Sequence, residues 1–146
     1  MAQMHLRAGD EVWLATAGPT ALASKLASVL GFTGAIGTEV GVVDGRCTGR
    51  LAGPLIHGVE KADAVGMLAE SRGWELSTVS AYSDSMNDLP LLRLVGDPHV
   101  VNPDRRLRKL ATTAGWPVHD TSNRHTAVRV GCAAAGLGAL AMLRRR

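Results

Sequence analysis

Residues 76–88 read Leu76-Ser77-Thr78-Val79-Ser80-Ala81-Tyr82-Ser83-Asp84-Ser85-Met86-Asn87-Asp88. The first part, Leu76 to Tyr82, predicts a buried strand, and Ser83 to Asp88 predicts the polar turn that closes it. Leu89, Leu92 and Val95 then predict a short helix behind the turn. In a parallel sheet the loops leaving the carboxyl ends of strands form the ligand crevice. Asp84 and Asp88, interleaved with hydroxyls and the Asn87 amide, supply hard oxygen ligands of the kind Mg²⁺ accepts while keeping several waters. The competing reading is purely local: Asp84 or Ser85 caps the helix that follows. Both readings stay open on this stretch alone.

The same rhythm runs outward in both directions, alternating short apolar runs with helical spacing, as an α/β domain with a largely parallel sheet requires. Upstream, Val12 to Ala15 predicts a strand ending at Thr16-Ala17-Gly18-Pro19. Leu22, Leu26, Val29 and Leu30 predict the inner face of a helix that Gly31 ends. A short strand follows near Ala35-Ile36. Val40–Val43 and Cys47–Leu51 bracket Asp44-Gly45, a hairpin signal. Val65, Leu68 and Ala69 mark a helix ending at Gly73. Downstream, His99 to Val101 predicts a strand, with Asn102 as N-cap and Pro103 in the first turn of a helix carrying Leu107, Leu110, Ala111 and Ala114 inward to Gly115.

Two further elements carry chemistry. Thr16 offers a hydroxyl beside the amides of Ala17 and Gly18 at a helix N-terminus, a cradle for an oxyanion or phosphate; most such junctions simply cap a helix. Lys61, one of three lysines, falls near a helix start, where it opposes the helix dipole. Solvation of an exposed lysine would account for it equally well. Taken together, a hydroxyl, a lysine and a carboxylate pair at the ends of successive β/α units are the parts of a phosphoryl-transfer site.

Composition sets the frame. The 146 residues, 46% hydrophobic and 20% charged, make one globular domain and exclude a disordered chain. Two cysteines, Cys47 and Cys132, build no disulfide framework, and the N-terminal residues carry no signal-peptide pattern, which predicts a cytoplasmic location. The net charge of +3 comes with only 3% aromatic residues, so no stacking platform supports nucleic-acid binding. Residues 1–120 read as the core and 121–146 as a helical, Ala/Gly-rich tail with a basic end. Val130 to Leu143 is uncharged but shorter than the roughly 20 residues of a bilayer span. Weak membrane association through residues 125–143, a packed amphipathic helix and a frayed tail are the three readings for it.

These motifs resemble those of the haloacid dehalogenase superfamily, in its phosphoserine-phosphatase-like branch. Leu14 to Pro19 resembles the family's second motif, Gly58 to Asp63 its third, and Tyr82 to Leu89 its fourth and most specific. The resemblance runs over roughly residues 3–118 and implies a Rossmann-like core with a small β-hairpin. It also implies that Thr16, Ala17, Gly18 and Asn87 bind phosphate, Lys61 steadies phosphate and nucleophile, and Asp84 and Asp88 serve Mg²⁺. The substrate it implies is a small phosphorylated metabolite, and the route is a covalent aspartyl-phosphate.

One family feature is absent from the sequence: the apolar strand ending in Asp-x-Asp. Its only lookalike, Val42 to Thr48, carries Arg46 at the proton-transfer position and lies in the hairpin. Gln3 to Gly9 resembles the end of the helix that leads from the cap into the second strand. The expectation is therefore a partial core without its first, central strand and helical cap, and with little turnover. Three readings follow: a phosphatase represented by its C-terminal part, a non-catalytic binding or membrane-tethered remnant, and a half complemented by a separate N-terminal segment; a homo-oligomer is the other partner expectation.

Overall fold

The computed structural model describes residues 1–121 and the backbone of residues 140–142. Helix α1 (Ala2–Ala8) leads through Gly9 and Asp10 into strand β1 (Trp13–Pro19), followed by α2 (Thr20–Leu30) and β2 (Gly34–Thr38). A hairpin of β3 (Val40–Val43) and β4 (Arg46–Leu51) comes next, then α3 (Val59–Arg72) and a 3₁₀ turn at Leu76–Thr78. Strand β5 (Ser80–Ser83) passes through a second 3₁₀ turn (Met86–Asp88) into α4 (Leu89–Leu94). The described chain then runs through β6 (Asp97–Val101), α5 (Arg105–Ala114), β7 (Val118–His119) and β8 (Leu140–Met142).

Strands β1 and β2 pair in parallel, as do β5 with β6 and β6 with β7; the hairpin is antiparallel. Strand β8 pairs antiparallel with β5, and its other side lies alongside β1. Strand β5 is buried along its whole length, and Leu14, Ala15 and Thr16 of β1 are buried too. Strands covered on both faces are the mark of a parallel α/β sheet. One core gathers Ala15, Val65, Val79, Ala81, Leu91, Leu92, Val100, Leu107 and Ala111 beneath α3, α4 and α5. On the other face Val12 and Tyr82 pack with Leu6 of α1 and with Phe32.

The structure departs from the sequence reading in several places. Helix α2 turns Ala23 and Ala27 inward, while Leu22 and Val29 are 67% and 73% exposed. Small residues let a helix approach a sheet closely, so the alanine stripe wins the contact over the leucine stripe. Leu76 to Thr78 forms a 3₁₀ turn, and the strand starts only at Ser80. Asn102 does not cap α5: it takes a left-handed φ of 45° and clasps Thr121, while Asp104 accepts from the Leu107 amide at 2.8 Å. Asparagine tolerates that backbone conformation, which frees the capping role for Asp104. Leu107 and Ala111 are buried as the spacing predicts, whereas Ala114 is exposed.

The tail also differs, in that residues 140–142 are strand, where a helix was expected. The remainder of the tail, and with it most of the 125–143 membrane reading, lies outside the described residues. Among the described residues no helix is long and apolar enough to cross a membrane.

Candidate active site

Local chemistry brings three strand ends together. At the end of β1 the Gly18 amide donates to Thr16 Oγ1 at 3.1 Å, folding Thr16-Ala17-Gly18 into a tight hydroxyl-closed turn. Thr38, at the end of β2, donates its hydroxyl to the Ala17 carbonyl at 2.8 Å and accepts from the Ile56 amide at 3.0 Å. Thr38 is buried, so both contacts run in a dry environment where losing either would leave a polar group unsatisfied. The clamp fixes the segment leading into α3 against the end of β1. Gly37 permits it: a Cβ there would stand 2.8 Å from both the Gly18 carbonyl oxygen and Thr20 Cα.

The start of α3 then meets the loop after β5. Gly58 holds φ +59° as N-cap, a conformation that favours glycine, with the Asn87 carbonyl oxygen 3.8 Å from where its Cβ would be. One turn on, Lys61 Nζ donates to Asp88 Oδ1 at 2.5 Å. Ser83 Oγ donates to Asp88 Oδ2 at 2.7 Å and accepts from the Ser85 amide at 3.1 Å. Lys61 and Asp88 are 2% and 1% exposed. A pair taken out of water this completely persists only with near-ideal geometry and further hydrogen bonds, which Ser83 helps to supply. The ends of β1 and β2 are thereby tied to the segment that leads into α3, and the loop after β5 is tied to the first turn of that helix.

The sequence-predicted residues sort accordingly. Thr16, Lys61 and Asp88 are buried, and Asp84 and Asn87 are exposed on the β5 loop. The Asn87 amide donates to Ser85 Oγ at 3.2 Å, so the capping reading of Ser85 holds for the 3₁₀ turn. Lys61 does oppose the helix dipole as expected, but burial against Asp88, rather than solvation, offsets it. Sequence reasoning missed Thr38 and Ser83, which hold the loops in place. Both follow an apolar or small run at a strand end, and no spacing rule distinguishes them from solvent-facing hydroxyls. It also missed Thr20, whose buried Oγ1 at the start of α2 has no hydrogen-bond partner among the described residues.

The sequence model of the haloacid dehalogenase-like hydrolases matches residues 1–93. The chain belongs to that family. A phosphoserine phosphatase of Mycobacterium tuberculosis is 49% identical over the whole of this chain, which covers 49% of that protein. A histidinol-phosphatase of Neisseria meningitidis is 38% identical, with 81% of this chain and 55% of that protein covered. Among solved structures, a protein of unknown function from Bordetella pertussis matches with a TM-score of 0.74 and 36% identity, covering 81% of this chain and 54% of that one. The family's α/β fold is thus shared, and the chain spans about half the length of the curated relatives it matches.

As a haloacid dehalogenase-like domain the chain can be asked whether it suits a divalent cation. Among the described residues no group of three or more His, Cys, Asp or Glu side chains converges. Mg²⁺, however, is ordinarily held by one or two carboxylates with water and substrate oxygens completing the shell. Asp84, exposed at the loop, fits one such ligand. The two Asp88 oxygens already serve Lys61 and Ser83, so Asp88 fits a supporting role behind Asp84.

Proposed function

We propose that this chain carries the phosphate- and cation-binding part of a Mg²⁺-dependent phosphomonoester hydrolase of the phosphoserine-phosphatase type, acting on a small phosphorylated metabolite. The observation that carries the reading is the buried Lys61–Asp88 pair, which ties α3 to the Asp84 loop while Thr38 ties the Thr16 turn to the entrance of the same helix. In this reading the Thr16 hydroxyl and the Ala17 and Gly18 amides bind phosphate oxygens, with the start of α2 favouring the negative charge. Asn87 orients the phosphate from the facing loop. The Lys61 ammonium offsets anionic charge close to the reacting group, and Asp88 positions that ammonium.

Mg²⁺, when bound at Asp84, would neutralise phosphate charge. The covalent route also needs a carboxylate nucleophile, and the reading assigns it to a segment other than these 146 residues. The chain alone is then a binder of phosphate with little or no turnover. A non-catalytic remnant would share the fold but not the ligand.

Calorimetric titration of the chain with inorganic phosphate in Mg²⁺ separates the two. Saturable binding that weakens about tenfold in Thr16→Val and in Asp84→Asn supports the proposal. Absence of phosphate binding by a folded chain contradicts it. Robust hydrolysis of phosphoserine by the chain alone would overturn the assignment of the nucleophile to another segment.

A further inference from the structure

Helices α4 and α5 flank an open groove of about 570 Å³. Met86, Leu110 and Trp116 line it half-buried, and Met86 and Trp116 also pack on the main core. Arg93, Arg106 and Lys109 stand exposed around these apolar side chains. Among the described residues no Asp or Glu lines the groove, and none of the three cations has an ion-pair partner. Arg108, on the same helix, differs: its guanidinium donates to both Asp120 oxygens.

That arrangement costs free energy in the chain alone. Arg106 sits in the first turn of α5, where the helix dipole disfavours a cation and no acid offsets it. Lys109 follows three residues later, so two like charges share one side of the helix. The half-exposed indole and thioether surface beside them is left to water. An anion carrying an apolar group would relieve all three penalties at once.

We propose that the groove docks an acidic segment of another protein, with an apolar side chain seated between carboxylates. Along α5 the lining residues run from 106 to 113, about 10 Å of helix rise, which is the span of three extended residues. One apolar residue with an acid on each side therefore fits. Residues 121–146 of this chain hold no Asp or Glu, so charge complementarity points to a different polypeptide. A concave apolar surface suits an inserted side chain rather than a flat bilayer, where the apolar face must protrude. A single indole offers no stacking platform for a nucleic-acid strand. None of Thr16, Lys61 and Asp84 lines the groove, and docking there does not depend on phosphate binding.

The probe is the end-capped peptide Asp-Glu-Leu-Asp-Glu, titrated into the isotope-labelled full chain. Saturable shifts of the Met86 and Leu110 amides and the Trp116 indole are expected. The uncharged Asn-Gln-Leu-Asn-Gln and the anchorless Asp-Glu-Gly-Asp-Glu should each bind about tenfold more weakly or worse. Arg106→Glu with Lys109→Glu should abolish binding of the acidic peptide and admit Lys-Arg-Leu-Lys-Arg in its place. Arg106→Glu alone suits the helix dipole and faces Lys109, so it should raise the thermal midpoint by about 2 °C while weakening docking. A lowered midpoint would mean that Arg106 serves the fold rather than a partner, and would overturn the proposal. So would a folded chain that binds none of the peptides, equal affinity for the acidic peptide and its two controls, or shifts centred away from the groove. Tighter binding of phosphatidylglycerol vesicles or of a single-stranded oligonucleotide at the same residues would contradict it as well.

Discussion

Strand β5 shows two unlike faces. On one, Ala81 joins the main core, and Ser83 helps seat the Lys61–Asp88 pair beneath α3 and α4. On the other, Tyr82 donates toward or accepts from His5 Nε2 at 3.0 Å and stacks flat on His99 with ring centroids 4.4 Å apart. His5 Nδ1 lies 2.8 Å from Asp10, His99 Nδ1 lies 3.0 Å from His119 Nε2, and His99 Nε2 lies 3.0 Å from Asp97. The first face commits the Lys61–Asp88 ion pair to a dry setting. The second sets the rings of His5, Tyr82, His99 and His119 side by side. Hence the first should respond to substitution in an all-or-none way, and the second should respond gradually and to pH.

The largest effect is expected on the first face. Lys61→Met leaves Asp88 charged and buried, and should cost about 3–5 kcal/mol in urea unfolding. The double variant Lys61→Met with Asp88→Leu should recover most of that loss, since a well-packed apolar pair is often neutral. A single-variant loss near zero would show that the pair does not weld α3 to the loop. Tyr82→Phe, on the second face, removes one buried hydrogen bond and should cost about 1–2 kcal/mol. A loss as large as that of Lys61→Met would erase the contrast.

The smallest effect is the most specific to the second face. Burial, with His99 and the N-terminus adding to it, holds His119 below the ordinary histidine value of 6.5. The unfolded chain then binds the proton more readily than the folded one, so stability rises with pH across that interval. It should be complete above about pH 6.5 and decline as the pH falls through the lowered value. His119→Gln should flatten this slope in thermal unfolding followed from pH 5 to 8. An unchanged slope would remove His119 from the account. Burial, reinforced by Asp97 and Asp10, also raises the Tyr82 phenol, so Tyr82 stays protonated throughout this range.

Much of this architecture was legible because it rests on local rules. The helix ends at Gly31, Gly73 and Gly115 and the hairpin turn at Asp44-Gly45 follow from short-range conformational preference. The loop motifs could be read because Thr16, Lys61 and the Ser83–Asp88 stretch each follow or start a β/α element. What escaped was decided by tertiary contact. The alanine and leucine stripes of α2 share one helical period, and only the sheet selects between them. Thr38 is one threonine among many until the Ala17 carbonyl and the Ile56 amide arrive from distant segments. The β8 strand lies in an Ala/Gly-rich run whose composition reads as helix, and its pairing with β5 overrides that preference.

The central claim is that the Thr16 turn, the start of α3 and the Asp84 loop surround one anion and one cation. Substituting Mn²⁺ for Mg²⁺ in the presence of phosphate tests it directly, because the paramagnetic ion broadens the amides nearest to it. Broadening of Asp84 and Asn87 together with Ala17, Gly18 and Lys61, abolished in Asp84→Asn, is the result the account requires. Broadening confined to the Asp84 loop, or centred on Asp97 and His99, would contradict it.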